Sequence, residues 1–190
     1  SLKQLHAYST TQFDITGSLR DRIVSYGQTI NVDDLSEDGT EQHTHVTVLY
    51  GIEDENDADV RAALTTAKPA SIRFGKTDYF SGEDFDVVYV AVRGPEIRAI
   101  NRKLRQKVAH VQMQPNYTPH ATVAYVQPGM GEKYAGAAFL NGEMATFESL
   151  TFRSKNGDVS LIPLGRTDIA ERFGLQNGHA LQAAEDELLA

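Results

Sequence analysis

The 190-residue chain has no cysteine. That absence excludes disulfides, thiolate metal sites, iron–sulfur clusters and a cysteine nucleophile together, and it suits a reducing cytoplasm. Positive charge is scarce: 18 Lys and Arg stand against 26 Asp and Glu, a formal net charge of −8. Long nucleic acid and anionic membrane both reward clustered positive charge, so neither is an expected partner. No apolar run approaches the ~20 residues that cross a bilayer, and the first residues do not read as a signal peptide. The chain begins at Ser1 without methionine, which reads as an expression scar or as a domain cut from something longer. What remains is ordinary globular composition, 41% hydrophobic and 23% charged, with no sign of a disordered or fibrous chain.

Along the chain, strand-type residues over Leu5–Thr16 end at Gly17, and Leu19, Ile23 and Val24 then have helical spacing. The polar, acidic stretch Asn31–Thr40 reads as a surface loop. His43–Ile52 reads as a strand stopping at Gly51, and a helix is expected over Ala58–Ala67 behind an acidic start. Ser71–Phe80 and Phe85–Val92 form a strand pair about Ser81-Gly82. Pro95–Val108 is the clearest helix: proline sits in its first turn, and Ile97, Ile100, Leu104 and Val108 make one apolar stripe. Arg98, Arg102, Lys103, Arg105 and Lys107 on its other side are the one concentration of positive charge, and such a side is most often a solvated face. Tyr117–Val126 is a further strand, Glu132–Phe139 a short helix, and Phe147–Arg153 with Val159–Leu164 a hairpin about Asn156-Gly157. Residues 1–165 are expected to form one bilobal domain, with 166–190 a helical appendage. The mixture without strict alternation indicates an α+β architecture.

A weak internal repeat carries the chemistry. His45-Val-Thr47-Val-Leu-Tyr50 and His120-Ala-Thr122-Val-Ala-Tyr125 match at His, Thr, Val and Tyr, 75 positions apart. Two copies of one unit imply two pseudo-symmetric lobes. Alternation along a strand places His45 with Thr47, and His120 with Thr122, on one face, with Tyr50 and Tyr125 on the opposite faces. A single His-x-Thr in a strand carries little information; two in equivalent contexts, from only six histidines, carry a good deal. Two imidazoles can divide proton transfer, one taking a proton from the nucleophile and the other giving one to the leaving oxygen. Threonine hydroxyls can hold non-bridging oxygens as charge grows on them. The substrate suited to such a set is a phosphodiester.

The two H-x-T-h motifs (h, hydrophobic), H45VTV and H120ATV, the second within T118PHATVAY, resemble those of the 2H phosphoesterase superfamily, the LigT-like or 2′,5′ RNA ligase-like group. The resemblance covers roughly residues 5–165. It implies a bilobal pseudo-twofold fold, with two antiparallel-rich sheets around a central cleft and helices outside. It implies metal-independent phosphodiester or cyclic-phosphate chemistry without a cofactor, with His45, Thr47, His120 and Thr122 as the catalytic tetrad. The longer string HVTVLYGI is most similar to phage-encoded members, including the anti-CBASS enzymes that cleave cyclic oligonucleotide messengers. It implies a small nucleotide or cyclic oligonucleotide as partner, met in the cytoplasm of the host.

Weaker candidates for substrate binding are Tyr8, Tyr117 and Phe80, as stacking or rim aromatics beside Tyr79 and Phe85, Glu148 as a carboxylate for a histidine or base, and Arg153 for a phosphate. A competing reading is a metallohydrolase in which His43, His45 and His120 form a three-histidine zinc set. Another is a non-catalytic nucleotide-binding module, which both intact His–Thr pairs oppose. The sequence chooses neither the nucleophile, water or a 2′-hydroxyl, nor the oligomeric state.

Overall fold

A computed structural model describes residues 6–165. The segment 166–190, expected to be a helical appendage, lies outside the described residues. Nine strands and three α-helices follow one another as β1 (Ser9–Asp14), α1 (Gly17–Gly27), β2 (Leu35–Thr40), β3 (His45–Ile52), α2 (Ala58–Ala63), β4 (Ala70–Phe80), β5 (Asp86–Arg93), α3 (Pro95–Lys107), β6 (His120–Val126), β7 (Met144–Phe147), β8 (Ser149–Arg153) and β9 (Val159–Pro163). Every pairing is antiparallel, in the order β7-β4-β5-β6-β3-β1-β8-β9, with β2 also on β6. The architecture is α+β, as expected. The two expected sheets are the two halves of one hydrogen-bonded path, joined at β3–β6 through the single registered pair Val46–Ala121.

The helices cover one side of this sheet. α1 packs on β6, and α3 packs on both β4 and β3, so each helix reaches the motif strand of the other half. Alternation does the rest: Val46 and Val48 on β3, and Ala121 and Val123 on β6, are buried, whereas His45, Thr47, His120 and Thr122 are half-buried on the opposite, open face. α3 begins with Gly94 and Pro95 and buries Ile97, Ile100, Asn101 and Leu104, close to the expected stripe. The buried Asn101 Nδ2 donates to the Val48 carbonyl at 2.7 Å, tying α3 to the middle of β3. At fully buried Asp86 the carboxylate accepts from the backbone N–H groups of Gly82, Gly129 and Gly131 at 3.3, 3.0 and 2.9 Å. It thereby fixes two loops to the start of β5, and charge-assisted bonds of this kind are the stronger ones.

Five local expectations are corrected. Residues 35–40, read as loop, form β2, because pairing with β6 over Leu35–Val126 and Thr40–Ala124 satisfies a backbone whose side chains carry no strand signal. The helix expected over Ala58–Ala67 ends at Ala63, and that over Glu132–Phe139 is one 3₁₀ turn, Gly131–Tyr134. β7 was not anticipated as a separate strand on β4. β3 also continues through Gly51 to Ile52: the glycine takes φ +84°, where an added Cβ would lie 2.7 Å from the Val111 carbonyl oxygen. That close approach, with Val111 N–H donating to Gly51 O at 2.8 Å, pins the 109–118 loop beside the motif strands.

Candidate active site

Antiparallel pairing of Val46 with Ala121 sets His45 across from Thr122 and Thr47 across from His120. The two motifs therefore form one square of alternating imidazole and hydroxyl groups at the seam between the halves. Each imidazole is oriented by the same local device. Nδ1 of His45 lies 2.6 Å from the His43 carbonyl oxygen, and Nδ1 of His120 lies 2.7 Å from that of Thr118. A carbonyl only accepts, so Nδ1 carries the proton in both rings and Nε2 is left for chemistry.

The repeat is deeper than the motif letters. Between Thr11–Leu49 and Gln12–Thr47 the register skips Val48, and between Val88–Ala124 and Tyr89–Thr122 it skips Val123. Both strands thus carry a β-bulge immediately after the threonine, a device that re-aims side chains beside active sites. It overturns the expected orientation of the repeat tyrosines. Tyr50 turns back to line the cleft with Thr47, and Tyr125 pairs with Val87, two along from Tyr89 on the same face.

Around this common square the two histidines have different neighbours. His120 stands against two aromatic rings: Phe80 edge-on at 5.0 Å and Tyr89 tilted at 5.1 Å between centroids. Burial pushes its pKa below the ordinary 6.5, the Thr118 carbonyl partly offsets this, and the nearby His45 adds to the depression. His45 is flanked by polar groups. Its cross-strand neighbour is Asp14, whose carboxylate accepts from Gln12 Nε2 at 2.6 Å and Thr151 Oγ1 at 2.7 Å.

Two pockets open on the square and share Thr47 and Tyr50. One, of about 570 Å³, lies on the His45 side and includes Tyr8, Thr10, Gln12 and Arg153. The other, of about 310 Å³, lies on the His120 side and includes Asn101, Met113, Asn116 and Tyr117. Tyr8 meets Tyr50 edge-on at 6.0 Å, and the Arg153 side chain makes no hydrogen bond or ion pair among the described residues. Tyr117 is anchored: its hydroxyl donates to the Thr47 carbonyl at 2.8 Å, and burial raises its pKa. Phe80 is a wall of His120 rather than an open platform. Glu148 is exposed at the bend between β7 and β8, outside both pockets. Tyr50, Tyr89, Asp14 and Gln12 were missed, because only strand register reveals that they share the motif face. No group of three or more His, Asp or Glu among the described residues could hold a metal ion, so the structure does not assemble the three-histidine set of His43, His45 and His120.

A sequence profile of the 2′-5′ RNA ligase superfamily matches residues 28–154, both motifs included. The chain belongs to this superfamily. The 2′-5′ RNA ligase superfamily comprises the 2H phosphoesterases that the paired motifs resembled, and membership brings phosphodiester chemistry on RNA-like substrates as the class of activity. No curated protein matches the sequence. Among solved structures, Escherichia coli LigT complexed with 3′-AMP is similar at TM-score 0.58 and 12% identity, covering 84% of this chain and 95% of LigT. TT0787 of Thermus thermophilus gives 0.57 and 16%, covering 82% and 94%. Kluyveromyces marxianus Usb1 with uridine monophosphate gives 0.52 and 10%, covering 83% and 98%. At these identities the likeness is one of fold. Among the described residues no helix is long and apolar enough to cross a membrane.

Proposed function

We propose that the chain is a metal-independent phosphodiesterase that cleaves small oligonucleotides, cyclic or linear, by two-histidine acid–base catalysis. The observation that carries this is the square of His45, Thr122, His120 and Thr47, with both Nδ1 atoms tied to backbone carbonyls. A phosphodiester seated on it meets Nε2 of one histidine on the nucleophile's side and Nε2 of the other on the leaving side. Its non-bridging oxygens meet the threonine hydroxyls, which donate to charge that grows in the transition state. His120, neutral at pH 7 because it is buried against Phe80 and Tyr89, is the base that takes the proton from water or a 2′-hydroxyl. His45, as the imidazolium, gives its Nε2 proton to the departing oxygen while the His43 carbonyl keeps the Nδ1 proton and holds the ring. Nucleoside monophosphates in LigT and Usb1 support a nucleotide-sized ligand. The acidic balance of the chain favours a short substrate over a long polyanion.

The test is incubation with chelator present and a panel comprising 2′,3′-cyclic nucleotides, 2′,5′- and 3′,5′-linked oligonucleotides, and cyclic di- and trinucleotides, with products separated chromatographically. Turnover of cyclic oligonucleotides would place the chain with the enzymes that disarm CBASS signalling. Turnover confined to 2′,3′-cyclic ends would make it an RNA-end phosphodiesterase. Full activity in either His45→Ala or His120→Ala would sink the proposal.

A further inference from the structure

The basic side of α3 is not an isolated solvated face. The pocket on the His120 side shares Asn101, Arg105, Asn116 and Tyr117 with a further recess of about 350 Å³, lined also by Arg98 and Arg102. Two adjoining recesses with four lining residues in common therefore form a groove from His120 and Thr47 to three guanidinium groups, with no carboxylate lining the outer recess. In a chain of net charge −8 this placement runs against composition.

The groove is built. Arg105 donates through Nη1 to the Pro115 carbonyl at 3.1 Å and through Nη2 to that of Gln114 at 2.8 Å, and Arg98 Nη1 donates to the Tyr117 carbonyl at 3.1 Å. These bonds hold the 109–118 loop as the outer wall. Two polar groups in it lack partners among the described residues: the buried Nε of Arg105, and the Oδ1 of Asn101, a residue 4% exposed whose amide nitrogen is engaged by Val48. The side chain of Arg102, exposed and between the two clamps, makes no hydrogen bond or ion pair among the described residues. A donor and an acceptor near the square, followed by free guanidinium charge one step further out, match a nucleoside and then its next phosphate.

We propose that this groove is an oligonucleotide track: the nucleoside beside the scissile phosphate enters the pocket at Asn101 and Tyr117, and the following phosphate rests on Arg98 and Arg102. The inference deepens the phosphodiesterase reading and rests on it for the position of the scissile phosphate. It makes the preferred substrate an oligonucleotide with at least one phosphate beyond the cleaved one.

The test is binding, which does not depend on turnover. Fluorescein-labelled 2′-O-methyl phosphorothioate di- and tetranucleotides are titrated by anisotropy at several salt concentrations. The wild-type chain should bind the tetranucleotide about tenfold more tightly than the dinucleotide. Arg102→Gln should reduce that ratio to about threefold or less and lower the logarithmic salt slope for the tetranucleotide by about 0.7, the value of one single-strand phosphate contact. Arg102→Lys, which keeps the charge, should retain most of the ratio. This pattern without any turnover of the nucleotide panel would leave the track standing and remove the phosphodiesterase reading. Equal affinity for the two lengths, or Arg102→Gln indistinguishable from wild type, overturns the track whatever the turnover.

Discussion

The strands β3 and β6 carry the same motif, the same bulge and the same imidazole anchor, yet they sit in unlike surroundings. His120 stands against the paired rings of Phe80 and Tyr89; His45 looks onto Asp14 and Gln12 of β1 and into the polar pocket. Duplicating a unit yields two chemically equal groups, and acid–base catalysis needs two unequal ones. The neighbouring strands supply the inequality: β4 and β5 bring rings, and β1 and β8 bring carboxylate, amide and hydroxyl. The division of labour proposed for the two histidines would then be a property of what each motif strand is paired with.

The largest expected effect breaks the comparison outright. His45→Ala and His120→Ala should each lower kcat by about 10²–10⁴-fold, the usual contribution of a positioned acid or base, with nucleotide binding by calorimetry largely retained. Next come the hydroxyls. Thr47→Val and Thr122→Val should each raise the barrier by about 2–4 kcal/mol, read from kcat/KM. Near-equal losses would show that the square is symmetric toward the non-bridging oxygens even though the histidines differ.

Smaller effects sharpen the contrast. With His120 as base and its pKa depressed by burial, kcat/KM should rise with pH through a midpoint below 6.5 and fall again on an alkaline limb. Phe80→Ala, which admits water to the ring, should move that lower midpoint up toward 6.5. A midpoint at or above 6.5 in the parent, or one that Phe80→Ala leaves in place, would contradict the assignment. The same depression means that the unfolded chain takes the proton more readily, so folded stability contributed here is lost as pH falls below about 6.5. Smallest of all, Tyr117→Phe removes one hydrogen bond to the Thr47 carbonyl and should cost about 1 kcal/mol of stability in denaturant titration.

Much of this was legible in the residues. α3 announced itself through Pro95 and its apolar stripe, the last hairpin through Asn156-Gly157, and the meeting of His45 and Thr47 with His120 and Thr122 on one face through repetition alone. What stayed hidden depends on pairing. β2 is a strand because β6 offers it a partner, not because Ser36, Glu37, Asp38 and Gly39 prefer one. Tyr89 lies inside the run DVVYVAV, where every residue reads as core, and only its register with Thr122 brings it to the cleft. Alternation gave the wrong side for Tyr50 and Tyr125, since one extra residue just after each threonine reverses parity there and Val48 and Val123 look like any strand valine. Glu148 was a reasonable carboxylate by strand position, but it falls on a bend between two strands.

The join between the halves has a consequence for motion. Elsewhere neighbouring strands share at least two registered pairs, whereas β3 and β6 share Val46–Ala121 alone. The distance between the two imidazoles is therefore set across the most weakly laced line in the sheet. Amide protons bordering that line should exchange with solvent sooner than those of β4–β5, and an occupied cleft, gripped from both sides, should slow them. Substrate would then act as a clasp, completing a sheet that the backbone alone leaves nearly in two.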